Sequence, residues 1–260
     1  MENFQKKIIV VDDTHLCLLS IKDRLSKNYK VYLAQSAAKL FEMLEHVKPD
    51  LILLDINMPG VDGYQTIKKI KADTRFVEIP IIFISGRSDA LSEFRAFKLG
   101  AVDYLCKPFT DAKLLQCIEN QLNPNFLEAN KPVILAVDDC PSTLKSINSM
   151  LNTRYKVHTL PEPQRIKDLL KTITPNLFLL DCKMPVLDGF EVAAIIREFP
   201  AHEETPIVFL TAEATVDNIS AAIYYKACDF MVKPVNKVIL YNKIAGHLVD
   251  FVMRQRMQTL

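Results

Sequence analysis

Leu51-Ile52-Leu53-Leu54-Asp55-Ile56-Asn57-Met58-Pro59-Gly60-Val61-Asp62-Gly63 is the stretch that decides the fold. Four large apolar residues in a row suit a strand covered on both faces, and such coverage belongs to parallel sheets flanked by helices. Asp55 then stands where the strand leaves the core, and a turn follows. The same design returns as Leu177-Phe178-Leu179-Leu180-Asp181-Cys182-Lys183-Met184-Pro185-Val186-Leu187-Asp188-Gly189. The chain is therefore a tandem repeat.

Upstream of Leu51, Ile8-Ile9-Val10-Val11 is a short β-branched strand ending in Asp12-Asp13, followed by a helical pattern through Leu16, Leu19 and Leu25. Lys30 to Ala34 reads as a second strand, with Ser36 as N-cap of the next helix. Downstream, Asp62 can cap a helix holding Ile67 and Ile70, and Ile81 to Ile84 forms a strand ending in Ser85-Gly86. A helix through Leu91, Phe94 and Leu99 stops at Gly100, a natural left-handed terminator. Val102 to Cys106 runs into Lys107-Pro108, and a helix from Asp111 closes the unit. Five strands alternating with five helices imply right-handed βαβ units and a doubly wound parallel sheet.

Residues 1–122 form the first domain, 123–131 a short polar linker with a helix-stopping Pro124, and 132–260 the second domain. Asp12 and Asp138, Asp55 and Asp181, Ser85 and Thr211, and Lys107 and Lys233 all stand 126 residues apart (138 − 12). A period that long is a duplicated domain, since solenoid repeats run at roughly 20 to 50 residues. Val235 to roughly Met257 is expected to form a longer final helix than its counterpart, which breaks near Leu122.

At 260 residues there is room for two ordinary cores, and the 49% hydrophobic content is enough to fill them. A net charge of +1 argues against holding nucleic acid through the overall field. No stretch reaches the ~18 apolar residues of a membrane span, and the start of the chain carries no secretory apolar region. The six cysteines show no C-x-x-C spacing, so reduced thiols in the cytosol are expected. The five histidines lack metal spacing, and surface positions are their expected place.

The polar residues picked out by the repeat all follow apolar runs, at the carboxyl ends of strands one, three, four and five. In an open α/β sheet those ends converge on the ligand crevice. Three carboxylates gathered there repel one another, and a hard divalent cation such as Mg²⁺ relieves the repulsion while leaving positions for phosphate oxygens. Asp12 and Asp13, with Asp138 and Asp139, would hold that metal. Asp55 and Asp181, each alone at the end of a central strand, are the candidate acceptor nucleophiles. Lys107 and Lys233 supply a mobile cation, and Ser85 and Thr211 a short hydroxyl donor, for charge developing on a transferred phosphoryl group.

Val11-Asp12-Asp13, Leu54-Asp55 with Met58-Pro59 and Asp62-Gly63, Ser85-Gly86 and Lys107-Pro108 together resemble the receiver domain of bacterial response regulators. Val137-Asp138-Asp139, Leu180-Asp181 with Met184-Pro185 and Asp188-Gly189, Thr211-Ala212 and Lys233-Pro234 repeat the resemblance. It covers about residues 6–122 and 132–248, and implies two flavodoxin-like (βα)5 domains with strand order 2-1-3-4-5. It further implies phosphorylation of Asp55 and Asp181 by a histidine kinase or histidine phosphotransfer protein. Mg²⁺ would be bound by the acidic pair, the acceptor and the carbonyl two residues on, at Asn57 and Lys183. The Lys-Pro bonds are expected to be cis. The family's switch aromatic falls on Tyr104 and Phe230, coupled to the face of helix four, strand five and helix five, where a downstream protein or a second copy would dock.

The copies also differ. Lys183 stands where the first has Asn57, and Glu213 where it has Arg87, flanking the entrance for attacking water, so different acyl-phosphate lifetimes are expected. Cys140 replaces Thr14, and Lys226 replaces the Gly100 terminator, so the second copy's helix four is expected to end differently. No helix-turn-helix, cyclase or phosphodiesterase sequence fits in the remaining residues, which predicts a non-enzymatic protein with output by protein contact. One alternative is the tandem receiver region of a larger regulator such as a diguanylate cyclase. A flavodoxin or a haloacid-dehalogenase-type phosphatase is another, but there is no flavin phosphate loop and no Asp-x-Asp-Gly-Thr sequence.

Overall fold

The structure, a computed structural model, describes residues 5–86, 89–212 and 224–258, the side chains of Ala90 and of residues 252–258 excepted. It divides into two compact units, Met1–Ala129 and Asn130–Leu260. In the first, β1 (Lys7–Val11), α1 (His15–Leu25), β2 (Lys30–Ala34), α2 (Ala37–Leu44) and β3 (Leu51–Asp55) follow one another. Then come α3 (Gly63–Ala72), β4 (Ile81–Ser85), α4 (Ala90–Lys98), β5 (Asp103–Cys106) and α5 (Asp111–Leu122). All pairings are parallel, in the order β2-β1-β3-β4-β5.

The period-two alternation of a strand divides the core in two. Ile52 and Leu54 of β3 join Ile9, Val11, Leu40, Ile67, Ile70 and Ala96, under α2, α3 and α4. Leu51 and Leu53 join Ile8, Val10, Leu18, Ile21, Leu114 and Ile118, under α1 and α5. Every residue of β3 is buried, as its unbroken apolar run requires. Each fully buried Leu or Ile contributes about 1.5–3 kcal/mol relative to exposure.

The second unit repeats the plan with β6 (Val133–Val137), α7 (Pro141–Leu151), β7 (Lys156–Leu160), α8 (Ile166–Leu169), β8 (Leu177–Asp181) and α9 (Gly189–Arg197). β9 (Ile207–Thr211), β10 (Asp229–Val232) and the long final helix Lys237–Gln258 complete it, and its sheet order β7-β6-β8-β9-β10 is the same topology. The second α-helix is reduced to four residues, because Pro163 opens a short 3-10 turn in front of it. Among the described residues no helix is long and apolar enough to cross a membrane.

Two expectations are corrected. Pro124, expected to stop a helix within a short polar linker, instead opens one, α6 (Pro124–Asn130). Pro124 acts as its first residue, where no N–H is needed, and Asn123 Oδ1 accepts from the N–H groups of Asn125 (3.0 Å) and Phe126 (3.4 Å). His202 is buried rather than on the surface: its ring meets the Phe178 ring edge-on at 5.2 Å and shares a hydrogen bond with Thr205 Oγ1 at 3.2 Å. Burial, and after it the neighbouring Arg197, push its pKa down, disfavouring the charged imidazolium. Lys226 still adopts the left-handed backbone of Gly100, at φ 52° against 91°. Residues 213–223 before it, Glu213 among them, lie outside the described residues, as does Arg87, so the expected difference in how that helix ends falls there.

Candidate functional site

Parallel pairing brings the carboxyl ends of β1, β3 and β4 side by side, through Val11 opposite Leu54 and Asp55 opposite Ile84. Asp12, one residue beyond β1, is 2% exposed, Asp55 4% and Ser85 0%. β5 delivers the cation. The Lys107 N–H donates to the Ser85 carbonyl at 2.7 Å, and Lys107 Nζ donates to Asp12 Oδ2 and Asp55 Oδ1, both at 2.7 Å. The Lys107-Pro108 and Lys233-Pro234 bonds are both cis.

The remaining carboxylate oxygens are held from the backbone. Thr14 N–H donates to Asp12 Oδ1 at 2.8 Å, and Asn57 N–H donates to Asp55 Oδ2 at 2.7 Å. Burial raises the Asp55 pKa above the usual carboxylate range, and the Asp12 charge adds to this, against the opposing pull of Lys107 and Asn57. For Lys107, burial alone would lower the pKa, but its hydrogen bonds to Asp12 and Asp55 reverse the balance and hold it raised. Asp13 and Asn57 are exposed at the rim.

The second site has the same parts. Lys233 Nζ lies 2.7 Å from Asp138 Oδ2 and 2.9 Å from Asp181 Oδ1, and its N–H donates to the Thr211 carbonyl at 2.7 Å. Cys140 N–H donates to Asp138 Oδ1 at 2.9 Å, as Thr14 does in the first copy. Burial raises the Asp181 pKa, with Asp138 and Asp139 contributing and Lys233 opposing. Oxygens from Asp138, Asp139 and Asp181 lie within 4.8 Å of one another. Among the described residues, no equally tight trio forms at the first site. Both donor sets, hard oxygens carrying more negative charge than one lysine neutralises, suit a small divalent cation. Lys183 is exposed and could reach such an ion only through its backbone carbonyl.

The two positions expected to act as a switch, Tyr104 and Phe230, differ between the copies. Tyr104 shares a side-chain hydrogen bond with Ser85, and burial raises its pKa. Phe230 occupies the matching register position, opposite Phe209 as Tyr104 is opposite Phe83, and packs on the apolar core.

Other residues gain their meaning from the three-dimensional contacts. Gly63 and Gly189 open α3 and α9 directly against the ends of β3 and β8: a Cβ at Gly63 would strike the Asp55 carbonyl oxygen and come within 2.8 Å of Ile56 Cα. At Gly189 it would strike the Asp181 carbonyl oxygen and approach its carbon to 2.9 Å. The Asp-Gly pairs in the sequence carried this signal. Val186 carries none, yet it takes φ 74° where Gly60 takes 76°. Cys182, next to Asp181, is 3% exposed, and burial pushes its thiol up to about 11.

Comparison with known proteins agrees with this geometry. The model of the response regulator receiver domain matches residues 8–119 and 134–245. Rre1, a response regulator of Synechocystis sp., is 27% identical over 162 residues, 61% of this chain and 70% of its own length. RcaC of Microchaete diplosiphon is 29% identical over 175 residues, 67% of this chain but 26% of RcaC. The chain thus spans about a quarter of the longer relative. The chemotaxis protein CheY4 of Vibrio cholerae is 22% identical in its solved structure, covering 45% of this chain and 98% of its own, at a TM-score of 0.43. With the family model matched once in each half, in step with two parallel five-stranded sheets, the chain belongs to the response regulator receiver family as a tandem pair of its domains.

Proposed function

We propose that both domains accept a phosphoryl group, on Asp55 and Asp181, from a histidine kinase or histidine phosphotransfer protein. The observation that carries this reading is one lysine ammonium bridging two buried carboxylates at the strand ends, in each copy. A buried acceptor whose partner cation is already in place needs little rearrangement to react, and phosphoryl transfer depends mainly on positioning and charge neutralisation. An acceptor Oδ attacks phosphorus in line; the new O–P bond forms as the donor's N–P bond breaks. The electron pair leaves on the imidazole nitrogen, which takes up a proton.

Lys107 and Lys233 then follow the charge onto the phosphoryl oxygens, and Ser85 and Thr211 donate hydroxyl hydrogen bonds to them. Asp12 and Asp13, Asp138 and Asp139, the acceptors, and the carbonyls of Asn57 and Lys183 are the residues that would hold Mg²⁺. Bound there, such an ion would supply positive charge against the negative charge gathered at the site. Tyr104 and Phe230 serve as switch residues beneath the output face, which engages a downstream protein or a second copy. Residues 1–122 and 132–260 act as the two functional units, in the cytoplasm, without a catalytic activity on other molecules. Lys183 with Glu213 against Asn57 with Arg87 gives the two acyl phosphates different lifetimes.

The test is incubation with Mg²⁺ and a small acyl phosphate, followed by intact mass. Up to two added phosphoryl groups are expected, one in Asp55→Ala or Asp181→Ala and none in the double variant; undiminished labelling of the double variant would overturn the assignment. A second reading, a tandem receiver region within a larger regulator, draws support from the short share of RcaC that is matched. Sequencing the gene beyond the codon of Leu260 decides it.

A further inference from the structure

A second concavity opens on the first domain, beside the loop that follows β3. A cleft of about 580 Å³ lies between that loop and the first turns of α4. Its buried lining, Ile56, Met58 and Tyr64, is apolar, and Leu91 stands at its edge 76% exposed. The polar lining is held in place. Asp62 Oδ1 accepts from the Gln65 N–H at 2.7 Å and Asp89 Oδ1 from the Ser92 N–H at 2.8 Å, so each carboxylate is fixed as a helix cap. The Arg95 guanidinium lies 4.1 Å from the centre of the Tyr64 ring, and the Tyr64 hydroxyl donates to the Ser92 carbonyl at 3.4 Å. Such a volume falls in the range of about 300–1,000 Å³ of small-molecule sites, and an apolar interior with a few fixed polar groups is their usual lining.

Two carboxylates against one guanidinium leave the lining net negative, which disfavours an anion and matches a cation with an apolar body. We propose that this cleft binds a small aromatic amine, its ring packed against Met58, Leu91 and the Arg95–Tyr64 stack and its ammonium paired with Asp62 and Asp89. A planar guanidinium held over one ring offers a surface on which a second ring can stack. One wall of the cleft is the loop of Ile56, Asn57 and Met58, and the Asn57 N–H donates to Asp55 Oδ2 at 2.7 Å. A seated amine therefore bears on the support of that carboxylate. The second half does not repeat this chemistry: Thr215, Asp217 and Ala221 stand 126 residues (215 − 89) beyond Asp89, Leu91 and Arg95. The ligand would address the first domain alone.

The test uses the whole chain, without Mg²⁺ or phosphodonor, and tryptamine as the probe, followed through backbone amide resonances. Saturable shifts are expected at Asn57, Met58, Tyr64 and Ser92, and none at Lys183, Met184 and Phe190. Indole-3-propionate, the same ring on a carboxylate, should bind about ten-fold weaker or worse, since attraction to Asp62 and Asp89 becomes repulsion. Asp89→Asn, which keeps a capping side chain and loses the charge, should weaken tryptamine about three-fold, the scale of one exposed ion pair, and Asp62→Asn likewise. No saturable shift, equal binding of the carboxylate analogue, shifts of the same size in both halves, or an affinity unchanged in both asparagine variants would each overturn the proposal. So would a Trp-Lys peptide that saturates these resonances where tryptamine does not, which assigns the cleft to a segment of a partner protein. None of these readouts depends on phosphorylation of Asp55, so failure here leaves the phosphoacceptor reading standing.

Discussion

At the scale of single residues, the site stores an electrostatic penalty. The Asp55 pKa is raised by burial, so its folded-state value lies above the unfolded value of about 3.9. For a raised carboxylate the penalty is absent below the unfolded pKa and sets in as pH rises through the folded pKa, where the charged form must sit in the crevice. Asp55→Asn and Asp181→Asn are therefore expected to be more stable than wild type at pH 7 without Mg²⁺, with the gap closing as pH falls toward 4. Urea midpoints across that range check this, and a gap that widens on acidification would refute it. Removing the cation acts the other way. Lys107→Met leaves Asp12 and Asp55, whose side chains are 3% and 6% exposed, without their shared partner. Breaking a buried pair in this way costs about 3 kcal/mol, and a urea titration at pH 7 would report it.

At the scale of elements, the entries into α3 and α9 decide how Asp55 and Asp181 are held. Asp62 and Asp188 cap these helices, the second through a full capping box with Glu191, and the glycine after each cap lies against the Asp55 or Asp181 carbonyl. Gly63→Ala is expected to destabilise the first domain by about 2–3 kcal/mol, since backbone on both sides prevents repacking, with thermal unfolding as the measure. In the second copy the turn before α9 takes the opposite change. Val186 is β-branched and sits at φ 74°, a conformation that costs an L-residue roughly 1–2 kcal/mol. Its side chain is 88% exposed and gives back little by packing. Val186→Gly should raise the stability of the second domain by about 1 kcal/mol after glycine's greater unfolded-state entropy is subtracted.

At the scale of the whole molecule, the chain carries the same crevice twice with different tuning. A cation that binds only the folded form stabilises it by about 2.7 kcal/mol at a hundred times its dissociation constant. Calorimetry with and without Mg²⁺ should show this gain for each domain. Asp12→Asn with Asp13→Asn should abolish it in the first alone, and Asp138→Asn with Asp139→Asn in the second alone. The tighter trio at Asp138, Asp139 and Asp181 predicts the larger response to low Mg²⁺ in the second domain.

The sequence by itself determined the strands, the duplication and the ring of Asp, Ser or Thr, and Lys at their ends, because a parallel strand buried on both faces writes an unbroken apolar run that stops where the site begins. It also carried the caps at Asp62 and Asp188, whose side-chain oxygens act on N–H groups three residues away. Tertiary structure alone decided what depends on contacts between distant segments or on a backbone angle without a fixed residue code. Asn123 and Pro124 start a helix where Pro124 was expected to stop one, Val186 and Lys226 take left-handed angles usual for glycine, and His202 turns inward against Phe178.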